Sequence, residues 1–472
     1  MGEQFEATLR ALLRQTADHA ADFYEALGER RTSVTAGVQE LREVLGRPLP
    51  DEPMDASRVI AELVRDVEAG LLGSAGGRFF GWVIGGSVPA ALAADWLTSA
   101  WDQNAALYAC APAEAVAEEV CGGWLKDLLG LPAHASFALV TGTQMGHATA
   151  LAAARNKLLA ERSWDVERRG LAGAPPIRLI TGGQQHASID RAVRLLGLGT
   201  DAIVNAGADP QGRLDLGGLS RELQAGDDPV IVCLQAGEIN TGSFDDFTQA
   251  CRIAHARSAW VHVDGAFGLW AAVSQRYRHL LAGVDAADSW TTDAHMWLNV
   301  PFDCGLVFTA HPAQHRAAIS VTASYLIRAA EMGGGTPREQ IDYNPEWSRR
   351  GRGFAVYAAI RSLGRCGITQ IIDDCCDHAR HLTAGIGALP GAEILHEPQI
   401  NQGLIRFTDP GGDHDSRTDR VIARIQHDGH AWFGGTTFNG ARAMRISVVN
   451  HRTTDHDIER AIAAVRDALA RT

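Results

Sequence analysis

Between residues 136 and 310 short apolar runs alternate with longer amphipathic ones. FALVTG (137–142) leads into ATALAAARNKLLAER, PIRLITG (176–182) into SIDRAVRLLGLG, and PVIVCLQAG (229–237) into FDDFTQACRIAHARS. WVHVDGAFG (260–268), SWTTDAH (289–295) and GLVFTA (305–310) continue the series. Runs of about 4–8 apolar residues bounded by glycine or polar residues predict buried strands, and the 3.6-residue spacing between them predicts helices. Strands alternating with helices imply right-handed βαβ crossovers and a mainly parallel sheet, with any ligand site at the carboxyl ends of the strands. Before this region, residues 1–80 read as an N-terminal helical segment, with helical spacing in FEATLRALL and ASRVIAELVRDV. Residues 81–345 read as the large α/β domain. After residue 345 a long helical run, the short strands GLIRF and AMRISVV, and a last helix from Thr454 predict a smaller α+β domain over 346–472.

Composition changes this picture little. The chain has 472 residues, long enough for a large core. A formal net charge of −13 argues against a nucleic-acid or anionic-membrane partner. The acidic, amphipathic start has no apolar core of a secretory signal, and no run approaches the roughly 18 apolar residues of a membrane span, so the expected location is cytoplasmic. Eight scattered cysteines without a CxxC read as buried reduced thiols. Cys375, Cys376 and His378 fall in a helical run where adjacent residues do not face one ligand, so no metal site is expected there.

The polar residues that interrupt the apolar pattern gather at strand ends. In VTGTQMGHATA a glycine turn feeds a helix start at Thr143 and Gln144, whose free N–H groups and positive dipole end suit a phosphate. The same turn also suits simple capping. His186 follows a strand and offers an imidazole able to lie on an aromatic ring; alone, such a histidine is more often a packing or surface residue. Asp264 ends a nearly continuous apolar strand, where a carboxylate needs a cationic or hydrogen-bonding partner. Such a partner is a protonated ring nitrogen; a turn aspartate is the plainer alternative.

A phosphate cradle, a stacking imidazole, an aspartate for a ring nitrogen and a strand-end DAH-x-W together suggest a site for pyridoxal 5′-phosphate. Here the sequence resembles the group II pyridoxal-phosphate-dependent decarboxylases, relatives of the aromatic-amino-acid and glutamate decarboxylases. The resemblance runs through RFFGWVIGG, DWLTSAWDQN, HASIDRAVRLLGLG, WVHVDGAFGLW, DSWTTDAHMWLNVPFDCG, SRRGRGFAVYAAIRSLGR and MRISVVN. It implies the type I, aspartate-aminotransferase-like fold, with a mainly parallel seven-stranded sheet and a small C-terminal domain. It further implies a homodimer with active sites at the interface, and α-decarboxylation of an amino acid. Carried onto this chain, His186 stacks on the cofactor ring, Ala266 packs on its other face, Asp264 pairs with the ring nitrogen, and Thr143, Gln144 and His295 hold the phosphate. A loop tyrosine that protonates the product corresponds by neighbourhood to Tyr343, in the glycine-rich stretch EMGGGTPREQIDYNPEW, which reads as a mobile loop.

The family's cofactor-anchoring lysine falls at Met296. A thioether has no amine, so it neither anchors the cofactor covalently nor exchanges it with a substrate amine. The chain contains only two lysines, Lys126 and Lys157, both in helical runs and read as solvent-facing. Intact flanks fit a single deliberate exchange. Departures from the relatives' usual residues at His147, Glu238 and His451 fit natural divergence instead. The first reading for the chain is a decarboxylase-type lyase whose anchoring lysine is methionine, with the cofactor held non-covalently. The alternatives are a naturally lysine-less protein using His147, His295 or Glu238 as acid–base groups in altered lyase or transfer chemistry, and a non-catalytic pyridoxal-phosphate-binding pseudoenzyme. Arg349, Arg350 and Arg352 are candidates for a substrate carboxylate, with surface or interface pairing rated above that role. The expected partners are a small amino acid or amine and a second copy of the chain.

Overall fold

The computed structural model describes residues 2–321 and 337–472. Seven strands form the central sheet: β1 (Ser136–Val140), β2 (Arg178–Thr181), β3 (Ile203–Asn205), β4 (Val230–Gln235), β5 (Trp260–Asp264), β6 (Ser289–Asp293) and β7 (Gly305–Thr309). Their spatial order is β1-β7-β6-β5-β4-β2-β3. All neighbours pair in parallel except β7, which lies antiparallel to both β1 and β6. Thus β1 and β6 point the same way, and their carboxyl ends open on the same edge as those of β4 and β5. Every residue of β1, β4, β5, β6 and β7 is buried, because helices cover both faces. The continuous apolar runs anticipated from the sequence follow from that double coverage.

Strand β3 was not anticipated. It is three residues long, sits at the sheet edge and is only partly buried, so it carries almost no apolar signal. A second sheet holds β8 (Ala392–His396), β9 (Gln402–Phe407), β10 (Gly434–Phe438) and β11 (Ala441–Ser447) in the order β10-β11-β9-β8, antiparallel throughout. Of these, β9 and β11 were legible and β8 and β10 were not.

The helical run after residue 350 forms one long element, Gly353–Gly387, broken by non-helical backbone at Gly364 (φ 59°, ψ −179°). Before the break it packs on the helices Pro89–Trp101 and Pro112–Leu128, through Trp101 against Phe354 and Trp124 against Tyr357. Beyond it, Gly385 meets Ile462 of the C-terminal helix Asp455–Arg471 and Gly387 meets Ile394 of β8. One element therefore ties the central sheet's helical layer to the second sheet. The N-terminal segment is helical over Gly2–Ala26, Val38–Leu45 and Ala56–Val67. No described helix is long and apolar enough to cross a membrane.

Two glycines permit close backbone approaches at the open edge. A Cβ on Gly305 would sit 2.2 Å from the Gly142 carbonyl carbon, and one on Gly85 would sit 2.2 Å from the Met296 carbonyl oxygen. The first contact presses the start of β7 onto the turn that follows β1. Gly305→Ala is expected to lower unfolding free energy by about 1–3 kcal/mol, the usual cost of overpacking, as read by urea denaturation. An unchanged midpoint would show that the turn yields without cost.

Candidate functional site

At the carboxyl ends of β1, β4, β5 and β6 lies a cavity of about 260 Å³. Its wall includes Gly142, Thr143, Gln144, His186, Gln235, Asp264, Ala266, Phe267, Asp293 and Met296. Five of the six residues expected to hold a cofactor, together with Met296, are thus brought together from separate elements.

The helix Thr143–Ala160 begins directly on the cavity. Its preceding residue, Gly142, supplies no capping side chain. The side-chain amide nitrogen Nε2 of Gln144 is buried without a hydrogen-bond partner among the described residues. An uncapped helix start beside an unmet donor suits an anion. On the other side, His186 caps the helix Ala187–Leu195: its Nδ1 accepts the Ser188 N–H at 3.2 Å, which places a ring hydrogen on Nε2. The imidazole remains exposed to the opening.

Asp264 closes β5. Its Oδ1 accepts the Ala266 N–H at 3.1 Å, and its Oδ2 lies 3.5 Å from His147 Nε2. Burial alone would raise this carboxyl, but His147 and, more weakly, His186 outweigh it and hold it at about 2. It is therefore ionised throughout the physiological range and ready to accept a proton-bearing ring nitrogen. Asp293, which closes β6, was part of the DAH motif yet had no role assigned. Its Oδ1 accepts the N–H groups of His295 (2.8 Å) and Met296 (3.2 Å), and its Oδ2 accepts the Thr143 hydroxyl at 3.3 Å. Burial pushes it up to about 6 despite those bonds.

Other expected residues are placed away from the wall. His295 is buried, stacks on Phe302 and donates from Nδ1 to the Val300 carbonyl at 2.7 Å. Burial lowers it to about 4, so the ring is neutral and its Nε2, without a partner among the described residues, is a lone pair unless an anion brings a proton. His147 is completely buried behind Asp264. Glu238 does not face the cavity as the sequence suggested. Its carboxylate folds back on its own turn and accepts from the N–H groups of Asn240 (2.8 Å) and Thr241 (2.7 Å). Burial raises it all the same.

Tyr343 packs edge-on against His315 and under the Arg338 guanidinium, outside the cavity wall. The glycine run Gly333–Gly335, expected to form a mobile loop with it, lies outside the described residues. The three arginines are paired elsewhere: Arg349 with Glu118 at 2.7 Å, Arg350 with Asp95 at 2.8 Å, Arg352 with Glu346 at 2.7 Å. Both lysines are partly exposed, and both are engaged outside the cavity wall. Lys126 Nζ donates to the carbonyls of Ala133 and Ala135, and Lys157 Nζ pairs with Glu161 at 3.0 Å.

His262 was also missed. Its signal lay in WVHVD: strand alternation puts residues two apart on one face, so His262 shares the face of Asp264.

Comparison with known proteins gives a consistent result. The family model described as "Pyridoxal-dependent decarboxylase conserved domain" matches residues 39–408. The aromatic-L-amino-acid decarboxylase of Bacillus atrophaeus is 26% identical over 465 residues, covering 95% of this chain and 93% of that one. The L-2,4-diaminobutyrate decarboxylase of Rhizobium meliloti is 28% identical over 388 residues, covering 80% and 75%. Among solved structures, Oryza sativa TDC with PLP and tryptamine superposes with a TM-score of 0.91 at 21% identity, covering 98% of each chain.

The titration of Asp293 generates a pH prediction. Its raised value leaves it largely protonated at pH 5 and charged at pH 8, beside the helix start that suits an anion. Pyridoxal 5′-phosphate should therefore bind Asp293→Asn about as well as the unchanged chain at pH 5, and about tenfold more tightly at pH 8. Absorbance titration at both pH values measures this. Equal affinities at pH 8 would place the anion away from Asp293.

Proposed function

Because the chain belongs to the pyridoxal-dependent decarboxylase family, we propose that it holds pyridoxal 5′-phosphate without a covalent bond, in the cavity that joins His186, Asp264 and Thr143 to Met296. Its chemistry is that of the family's class, loss of the α-carboxylate from an amino acid. One observation carries the non-covalent part. Met296 forms part of the wall, and the chain's two lysines are engaged elsewhere by Ala133, Ala135 and Glu161.

The residues present fit the cofactor. The uncapped start at Thr143 and the unmet Nε2 of Gln144 suit its phosphate, and the depressed Asp264 carboxylate suits its ring nitrogen. His186 and Ala266 supply an imidazole face and a small apolar contact for the two sides of a ring. When bound, pyridoxal 5′-phosphate supplies an electron-poor ring that accepts the electron pair left by departing CO₂. The protein's part is to orient the groups, to keep the ring nitrogen's proton through Asp264, and to exclude water with Phe267 and the buried strand ends. Met296 lacks the amine that in lysine both anchors the cofactor and speeds its transfer to substrate.

A second copy of the chain is part of this reading. It is supported by Trp96, Leu97 and Trp101, large apolar side chains left exposed on the helix Pro89–Trp101. Light scattering is expected to give twice the monomer mass, and a monomer at micromolar concentration would remove this part.

The central test compares the chain with Met296→Lys in the presence of pyridoxal 5′-phosphate and a panel of amino acids, assaying CO₂ and amine. The unchanged chain is expected to release its cofactor on dialysis and to gain no mass on borohydride reduction. The variant should gain the reduced adduct and decarboxylate roughly 100-fold faster or more. Turnover by the Met296 form at the variant's rate would instead support a chemistry that needs no lysine. Cofactor binding with silence from both would support a binding protein, and no binding by either would end the reading.

A further inference from the structure

Behind Asp264 runs a buried chain of polar side chains that the proposed chemistry leaves unused. Trp260 Nε1 lies 2.9 Å from Ser289 Oγ, Ser289 Oγ 2.8 Å from His262 Nδ1, and His262 Nε2 2.9 Å from His147 Nδ1. His147 Nε2 in turn lies 3.5 Å from Asp264 Oδ2 and has no closer partner among the described residues. Ser289, His147 and His262 are all completely buried.

Hydrogen-bond chemistry gives this chain one direction. An indole N–H only donates, so Ser289 Oγ accepts from Trp260. The serine hydrogen then goes to His262 Nδ1, because leaving it unpaired in a buried site costs more. With Nδ1 accepting, a neutral His262 carries its hydrogen on Nε2 and donates to His147 Nδ1. Thr291 Oγ1, 3.1 Å from the same Nδ1, adds a second neighbour there. His147 is left with its hydrogen on Nε2, aimed at Asp264. Burial holds His262 at about 3, in keeping with a neutral ring.

We propose that Trp260, Ser289, His262 and His147 form a one-way hydrogen-bond relay whose final N–H fixes Asp264 as a carboxylate directed at the cofactor ring nitrogen, making His147 a positioning residue for the reaction. The inference rests on the cofactor site proposed above. The titratable groups around the carboxylate are His147 from the helix Thr143–Ala160, His262 on its own strand, His186 from the helix Ala187–Leu195 and Cys233 from β4. Of these, His147 Nε2 lies 3.5 Å from the carboxylate, and His186 stands at the open side. Removing the His147 N–H leaves a carboxylate that burial drives toward its protonated form, unable to keep a proton on the ring nitrogen.

The test has two independent arms. In the first, imidazole ¹⁵N NMR on the cofactor-free protein reads the tautomers. His262 is expected to be neutral down to pH 5 with its hydrogen on Nε2, and the His147 hydrogen is expected on Nε2; a hydrogen on His147 Nδ1 would overturn the relay whether or not cofactor binds. In the second, His147→Leu, His147→Gln and Ser289→Ala are compared by the pH dependence of bound pyridoxal 5′-phosphate absorbance, with circular dichroism confirming the fold. His147→Leu should weaken binding about tenfold and lower the pH at which the ring nitrogen loses its proton. His147→Gln, whose amide still donates, should restore most of both. Ser289→Ala, remote from the cavity, should shift the pH midpoint in the same direction by less. A packing role alone predicts no midpoint shift in Ser289→Ala and no rescue by glutamine, and that pattern would overturn the proposal. Failure of every form to bind cofactor, with the tautomers as expected, would count against the site's function and not against the relay.

Discussion

The carboxylate of Asp293 is the constraint on which the rest of the cavity depends. It sits where a strand ends, a turn carrying Met296 begins and a helix starts, and it accepts from both the turn and the helix: the N–H groups of His295 and Met296 and the hydroxyl of Thr143. Each donor is near a chain reversal or helix end, where backbone groups lack regular partners. Removing the acceptor would leave buried donors unmet, at about 1–3 kcal/mol for each. The approach of Gly305 to Gly142 closes the same junction from the neighbouring strand. The position of Met296 in the wall is therefore imposed by backbone hydrogen bonds that do not depend on its side chain.

The same junction explains an electrostatic tension. A helix start favours negative charge, and in this protein a carboxylate already stands beside it. Burial answers by raising that carboxyl, so the charge is weakest when the pH is low. Asp264 shows the opposite balance although it is equally enclosed, because a histidine faces it. Two aspartates at adjacent strand ends are separated in behaviour by the imidazoles of His147 and, more weakly, His186.

Much of this architecture was readable in the residue pattern, for a physical reason. Strands buried on both faces are mostly apolar, so β1, β2, β4, β5 and β7 announced themselves; β6 (SWTTD) was read from its place in the alternating series, and the three-residue β3 and the half-exposed β8 and β10 were not read at all. The break at Gly364 was invisible because apolar spacing continues across it. At the site, Thr143 and Asp264 were legible because each stands at the end of an apolar run, at the functional edge, whereas Ala266 was named only through the family resemblance. Direction was not legible. Glu238 sits at such an edge, yet its turn folds the carboxylate inward. Pairings were not legible either, since Arg349 finds Glu118 across 231 positions of sequence. His262 lay within reach of simple alternation but looked like one more member of an apolar strand.

The state of the two lysines has a consequence for handling aldehydes. Surface amines ordinarily capture such compounds in reversible side reactions, depleting the free pool and blurring spectra. Here one ammonium is tethered to backbone carbonyls and the other is neutralised by a glutamate one helical turn away. An aromatic aldehyde offered to this protein meets only two lysine side chains, and neither lies on the wall of the cavity at the strand ends.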